Sequence, residues 1–319
     1  MLREIAPKIF VETGYHGANV AFIPTGEGVI LIDTPMLPND ARAWLEVIHR
    51  HTSEPILYII NTDHHRAHII GNQFFPMARV LAHEHAWKEM KSYGDSFRTR
   101  LLNMYRDRNP PAVAEWRHLK IIKPQVTFTG RAILYKGSLE IHLISVGGHT
   151  PATIVIYFPN EKILFTGDVV ITDRPPFLSQ GNTKQWLEAL SYLRRLRYDV
   201  LIPGHGEPTG KEATDRMSEF LRLVRRHVRS AYLSGLSKSE TASSLSHLIR
   251  FWPIPTEEKP KADRRFKSGL GRVWNEIRAE EQAKAKGKGK PPAASRRPAL
   301  SLETADSSSD AGEESEDEE

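Results

Sequence analysis

The stretch Ile56-Leu57-Tyr58-Ile59-Ile60-Asn61-Thr62-Asp63-His64-His65-Arg66-Ala67-His68 decides how this chain is read. Its first five residues are apolar and rich in isoleucine, which predicts a buried strand over Ile56–Ile60. Three histidines and a carboxylate follow between positions 63 and 68. A strand that ends in such a cluster presents several donor side chains at one sheet edge, a layout suited to metal binding. Two isolated histidines return downstream, His149 in Gly147-Gly148-His149-Thr150 and His205 in Pro203-Gly204-His205-Gly206. Between them lies Asp168 in Thr166-Gly167-Asp168, after the strand-like run Ile163–Phe165. The pattern is that of a site assembled from several loops.

Working outward, the first part of the chain predicts strands at Lys8–Glu12, Asn19–Pro24 and Val29–Asp33, with Gly26-Glu27-Gly28 as a turn. Asn39 to His51 has helical spacing through Ala41, Trp44, Leu45 and Ile48. Val80–Ala82 reads as a short strand and His83 to Arg108 as interrupted helix, broken by Pro110-Pro111. Strand patterns resume at 126–128, 132–135, 139–145, 153–157 and 162–165, with Pro159-Asn160-Glu161 as a hairpin turn. A helix over Asn182–Leu196, a strand at Val200–Ile202 and helices over 209–234 and 238–250 complete the pattern. Two rounds of strands followed by helices predict an α/β protein of the α+β type: a sandwich of two mixed sheets with helices on both outer faces.

The expected organisation is a domain over 1–255, a helical extension over 256–282 and a disordered tail over 283–319, basic first and then acidic. Removing that tail after about residue 282 is expected to leave folding intact. Net charge is +5, but the last 17 residues hold nine acids and no base, so the rest of the chain sets 44 Lys and Arg against 30 acids. That excess gathers on a helix face (222–229) and in the tail (284–297), which reads as solvated surface, not a nucleic-acid groove. The N-terminus lacks a basic patch before an apolar core, and no run nears the roughly 20 apolar residues of a membrane span. A cytoplasmic location is therefore expected. With no cysteine in the chain, disulfides and thiolate ligands are excluded, leaving imidazole and carboxylate for any metal.

In order and separation these pieces resemble the metallo-β-lactamase superfamily, whose αββα sandwich holds metals along an edge between two sheets. The family motif T-H-x-H-x-D-H is met by Thr62, His65 and His68, with Asp63 at the first histidine and Ala67 at the aspartate. Leu31-Ile32-Asp33-Thr34, Gly148-His149-Thr150-Pro151, Thr166-Gly167-Asp168 and Pro203-Gly204-His205-Gly206 match the later signatures. Together the five cover residues 8–210.

The resemblance implies one metal held by Asp63, His65 and His149, and a second by His68, His205 and the bridging Asp168. A carboxylate at 63 is able to replace an imidazole, because its oxygen binds zinc at a similar distance; the other reading of Asp63 is a cap at the loop start. Ala67 has no donor, so the second site is short of a ligand and the centre is either mononuclear or holds its second ion with extra water. His64 stands at a variable position and is expected to point elsewhere, unless a one-residue shift recruits it. Asp33 is expected to brace backbone or an imidazole from outside the ligand shell.

The expected activity is metal-dependent hydrolysis, with one or two Zn²⁺ ions, or Mn²⁺ or Fe²⁺, and Asp168 handling the proton. The substrate class is open among ester, lactone, thioester and phosphoester. A small molecule is the expected partner, and Arg98, Arg100, Arg106 and Arg174 permit it to be anionic. Two other readings stand beside this one: a degenerate binding protein without catalysis, for which Ala67 speaks, and a mononuclear iron oxygenase on the same fold.

Overall fold

The computed structural model describes residues 1–287. Strands β1 (Arg3–Ala6), β2 (Ile9–Glu12), β3 (Val20–Pro24) and β4 (Val29–Ile32) lead to helix α1 (Pro38–His51), then β5 (Ile56–Ile60) and the short helix α2 (Arg66–Ile69). Next come β6 (Arg79–His83), α3 (Glu84–Lys91), α4 (Asp95–Tyr105), α5 (Pro110–Trp116), β7 (Val126–Phe128), β8 (Arg131–Lys136), β9 (Leu139–Ser145), β10 (Ile154–Phe158) and β11 (Ile163–Phe165). Helix α6 (Thr183–Arg195), strand β12 (Val200–Ile202) and helices α7 (Glu212–Leu233), α8 (Lys238–Ser244) and α9 (Lys259–Gly287) follow.

One sheet runs β1 through β7 in sequence order, antiparallel as far as β4 and parallel from β4 to β7. The other has the order β12-β11-β10-β9-β8, with only β11 and β12 parallel. Both sheets are mixed, and helices flank them.

Strand parity explains the layering, because alternate side chains point to opposite faces. Ile30, Ile32, Ile60 and Leu81 of the first sheet meet Leu143, Ile154, Ile156 and Phe165 of the second between the sheets. Their neighbours Val29, Leu31 and Ile59 turn outward onto Trp44 and Ile48 of α1. On the far side Val155, Leu164 and Leu201 pack with Trp186 of α6, Phe220 and Val224 of α7, and Leu270 and Val273 of α9. Strands covered on both faces carry apolar residues continuously, as β3, β4 and β10 do.

Several boundaries differ from expectation for identifiable reasons. Pro110-Pro111 opens α5 instead of merely ending a helix, since proline fits the first helical turn and the Asn109 side chain accepts from Ala112 N at 3.1 Å. The segment read as one interrupted helix divides at Ser92–Gly94 into α3 and α4, and α8 gives way after Ser244 to a 3-10 turn over Ser246–Phe251. Strand β1 escaped the sequence reading because it is a short edge strand with exposed and half-buried residues and no buried stripe. Helix α9 starts at Lys259 and runs to Gly287, so residues 283–287 are helical; the rest of the expected tail lies outside the described residues.

Met1–Glu280 forms one unit, in which the helix read as an extension is part of the core. Phe266, Leu270, Val273 and Ile277 of α9 are buried against α6 and α7. Arg225 of α7 is bound there as well, donating to Glu280 Oε1 and Oε2 at 2.7 and 2.8 Å and to Thr183 Oγ1 at 2.7 Å. Among the described residues no helix is long and apolar enough to cross a membrane.

Candidate metal centre

The parallel pairing of β4 with β5 and of β11 with β12 brings the ends of these strands to the same edge of their sheets. Asp33 follows β4, the histidine-rich loop follows β5, Asp168 follows β11 and His205 follows β12. His149 comes from the loop that joins β9 to β10. Ligand positions at the carboxyl ends of strands are a recurrent outcome of such sheets.

Asp168 is the hub. Its Oδ1 lies 3.6 Å from His68 Nε2 and 3.4 Å from His205 Nε2, and its Oδ2 lies 3.5 Å from His149 Nε2. His65 Nδ1 lies 3.0 Å from His149 Nε2. Three donor sets result, Asp63–His64–His65, His65–His149–Asp168 and His68–Asp168–His205, each with its donor atoms within 4.8 Å of one another. His68 Nε2 and Asp168 Oδ1 are buried and lack any hydrogen-bond partner. Buried polar atoms rarely go unpaired, and a convergent group of them fits a cation.

The tautomers follow from the outer contacts. His68 Nδ1–H donates to Asp33 Oδ2 at 2.8 Å, which turns Nε2 toward Asp168. His65 Nε2–H donates to the Gln180 amide oxygen at 2.5 Å, leaving Nδ1 free toward His149. Carboxylate and amide acceptors of this kind orient metal-binding imidazoles and raise their basicity. Asp33 is itself fixed by Thr62, whose N and Oγ1 donate to it at 2.8 and 2.6 Å.

Electrostatics divides the cluster. Burial pushes His65 down to about 4 and also lowers His149, so both are neutral donors near pH 7. Burial opposes the charge of His68, yet Asp33 and Asp168 beside it raise its pKa well above the usual range. Burial likewise opposes ionisation of Asp168, but His205 and His68 hold it well below the usual carboxylate range. A cation would take over the role that the protonated imidazole plays here.

Asp63 belongs to the first of these sets and is at the same time densely hydrogen-bonded. Its Oδ1 accepts from His64 N and His65 N at 2.6 and 3.1 Å, and its Oδ2 from Thr150 Oγ1 and Thr153 Oγ1 at 2.9 and 2.7 Å. A carboxylate has about four lone-pair positions, and all are engaged. The carboxylate thus ties the motif loop to the His149 loop, and its Oδ1 lies 3.6 Å from His65 Nδ1. Among the bases singled out in the sequence, Arg174 pairs with Asp173 and Arg98 with Asp95.

Several contributors had no signal of their own in the sequence. Asn19 Nδ2 donates to the carbonyls of Pro203 and Gly206 at 2.9 and 2.7 Å, clasping the loop that carries His205. Phe177 and Gln180, on the loop after β11, both meet the His65 ring. Gly204 is required by close approach, since a Cβ there would fall 2.1 Å from Asp168 Oδ1 and 2.7 Å from the Gly167 carbonyl carbon. Gly204→Ala is expected to push Asp168 aside and weaken metal retention at least about 10-fold. Zinc titration with a fluorescent chelator checks this, and wild-type retention would mean the loop absorbs the methyl group without moving the carboxylate.

An αββα sandwich with an edge cluster of imidazoles around one carboxylate defines a class, and the sequence profile of the metallo-beta-lactamase superfamily matches residues 13–205. The chain belongs to that superfamily. It is 23% identical over 264 residues to the linear primary-alkylsulfatase of Pseudomonas sp. (strain ATCC 19151), covering 72% of this chain and 49% of that protein. It is 29% identical over 187 residues to 2,4-dinitroanisole O-demethylase subunit alpha of Nocardioides sp. (strain JS1661), covering 56% of this chain and 49% of that one. The chain therefore spans about half the length of these two relatives. Among solved structures, a metallo-beta-lactamase family protein of Thermus thermophilus superposes with a TM-score of 0.65 at 20% identity, covering 88% of this chain and 96% of that one.

Proposed function

We propose that the protein is a metal-dependent hydrolase of small, negatively charged ester-type substrates. The observation that carries this reading is Asp168 between His149, His68 and His205, with Nε2 atoms 3.4 to 3.6 Å from its two oxygens. In this reading His65, His149 and Asp168 hold one divalent ion, zinc being suited to the imidazole-rich set, and His68, Asp168 and His205 hold a second. Such an ion supplies Lewis acidity and brings the pKa of a water molecule toward neutrality.

The chain's own residues do the rest. Asp33 and Gln180 hold the imidazoles in their tautomers. Asp168 is the carboxylate that would orient a water proton, because Ala67 offers none. Its depressed pKa suits it to orienting a proton better than storing one. Phe177, against the His65 ring at 5.7 Å, gives the pocket an apolar wall.

The charge preference rests on four cations. Lys261 and Arg265 of α9 sit with Arg66 and Arg108, and none of the four pairs with a carboxylate within 4 Å among the described residues, though Glu258 acts on the first two from farther off. Burial, and then Arg265, Arg108 and Arg66, push Lys261 down to about 8. Helix α9 also packs on the pocket loop: Arg272 Nε donates to Gly181 O at 3.0 Å, and a Cβ at Gly269 would lie 2.8 Å from Leu178 Cβ. The alkylsulfatase relative, named for cleaving an anionic ester, agrees with this preference.

The test is metal analysis followed by assay of the zinc-, manganese- and iron-loaded protein on p-nitrophenyl sulfate, phosphate and acetate. Metal-dependent turnover that favours the charged esters is expected. Metal binding with no turnover would favour the non-catalytic reading that Ala67 supports, and iron with oxygen uptake the oxygenase. Replacing Lys261 and Arg265 together by glutamine is expected to raise KM for the charged esters roughly 10-fold and leave the acetate unchanged, from about 0.7 kcal/mol for each of two partly exposed charge contacts. In the wild type that advantage should fade as pH rises through about 8, where Lys261 loses its proton. Equal effects on charged and neutral esters would remove these cations from substrate selection.

A further inference from the structure

We propose that His64 is a metal ligand, supplying one residue along the chain the imidazole that position 63 lacks. The inference rests on the metal-centre reading above and deepens it. His64 is only 1% exposed, and both of its ring nitrogens are buried without a hydrogen-bond partner. No other histidine among the described residues has two such nitrogens; His68 and His149 have one each, and their other nitrogens face Asp33 and His65.

An unpaired buried polar group costs about 1–3 kcal/mol, so two on one ring are a standing penalty that a packing role does not remove. The ring has polar company only in one direction. His64 Nδ1 lies 3.2 Å from Asp63 Oδ1, and the His64 and His65 ring centres are 4.8 Å apart. One donor atom each from Asp63, His64 and His65 lies within 4.8 Å of the other two. The Tyr93 ring is 6.4 Å away, and its hydroxyl donates to the His64 carbonyl at 3.4 Å, not to the imidazole.

The division of labour between neighbours follows. Asp63 spends its oxygens on two backbone N–H groups and two threonine hydroxyls, which leaves it negative charge to contribute but no free lone pair. His64 has the reverse endowment: two ring nitrogens that make no hydrogen bond. His65 belongs both to this group and to the set with His149 and Asp168, so the two groups adjoin at a shared imidazole. The ligand class is a divalent ion that accepts nitrogen donors, such as zinc.

The experiment strips the full-length protein of metal and titrates it with zinc alone, comparing wild type, His64→Gln and Asp63→Asn. His64→Gln is expected to lose one zinc equivalent, or to bind it at least about 10-fold more weakly, while its metal-free melting temperature does not fall. Asp63→Asn is expected to keep that equivalent with weaker affinity. In parallel, long-range proton–nitrogen spectra of the wild type should show a His64 ring nitrogen shifting on zinc addition, a readout that needs no variant to fold. Unchanged zinc stoichiometry and affinity in His64→Gln, or a His64 ring indifferent to zinc, overturns the assignment and leaves the rest of the centre standing. A wild type that takes up no zinc overturns the centre as well.

Discussion

Replacing Asp168 by asparagine should lower metal affinity by more than about 100-fold, the upper end of what loss of a supporting group around a site costs. The expectation is this large because one carboxylate faces three imidazoles, and asparagine keeps its shape while removing its charge. Turnover by the loaded protein should fall by about 10²–10⁴, the range for losing a positioned proton acceptor. His149→Ala should also release metal, whereas His16→Ala should not. His16 is engaged with Tyr105 at 2.9 Å and with Asp40 through its backbone, and it belongs to no donor set. Inductively coupled plasma analysis of protein purified without chelator measures all three. Full metal content in Asp168→Asn would place the centre elsewhere.

Ending the chain at Glu258 should abolish cooperative folding. This removes Phe266, Leu270, Val273 and Ile277 from the layer over the second sheet. Each such side chain is worth roughly 2–5 kcal/mol by alanine replacement, so four approach the about 5–15 kcal/mol that a whole domain has. It also strands Arg225, buried between α6, α7 and α9, without Glu276 and Glu280. A buried charge that loses its partner costs about 3–5 kcal/mol more. A milder version, Leu270→Ala, should lower stability by about 2–5 kcal/mol in urea denaturation. A truncated chain that melts as sharply as wild type would show that α9 is a dispensable cover.

The sequence announced the parts of the site that carry a local signature. His149, Asp168 and His205 each sit in a short Gly-containing string at a strand end, so type and place were readable together. What it could not announce depends on contacts between distant positions. Asn19 meets Pro203 from 184 residues away, and His65 meets Gln180 from 115. An asparagine or glutamine in a loop has no pattern that says which carbonyl or imidazole it will face. Asp63 shows this within a motif: its slot implied a ligand, but not that Thr150 and Thr153, two side chains from another loop, would donate to one of its oxygens. Likewise the sequence predicted a helical extension here, but not that Phe266, Leu270, Val273 and Ile277 would pack against α6 and α7.

The placement of α9 has a consequence for how such a protein diversifies. The helix is both keystone and gatepost: its middle turns shut the hydrophobic layer, while Lys261 and Arg265 near its start join Arg66 and Arg108 in a cluster of cations. On the proposed reading, exchanging those first turns would retune which molecules are admitted and leave the cluster around Asp168 in place. Selection therefore has two independent dials on a single element, one for selectivity and one for durability.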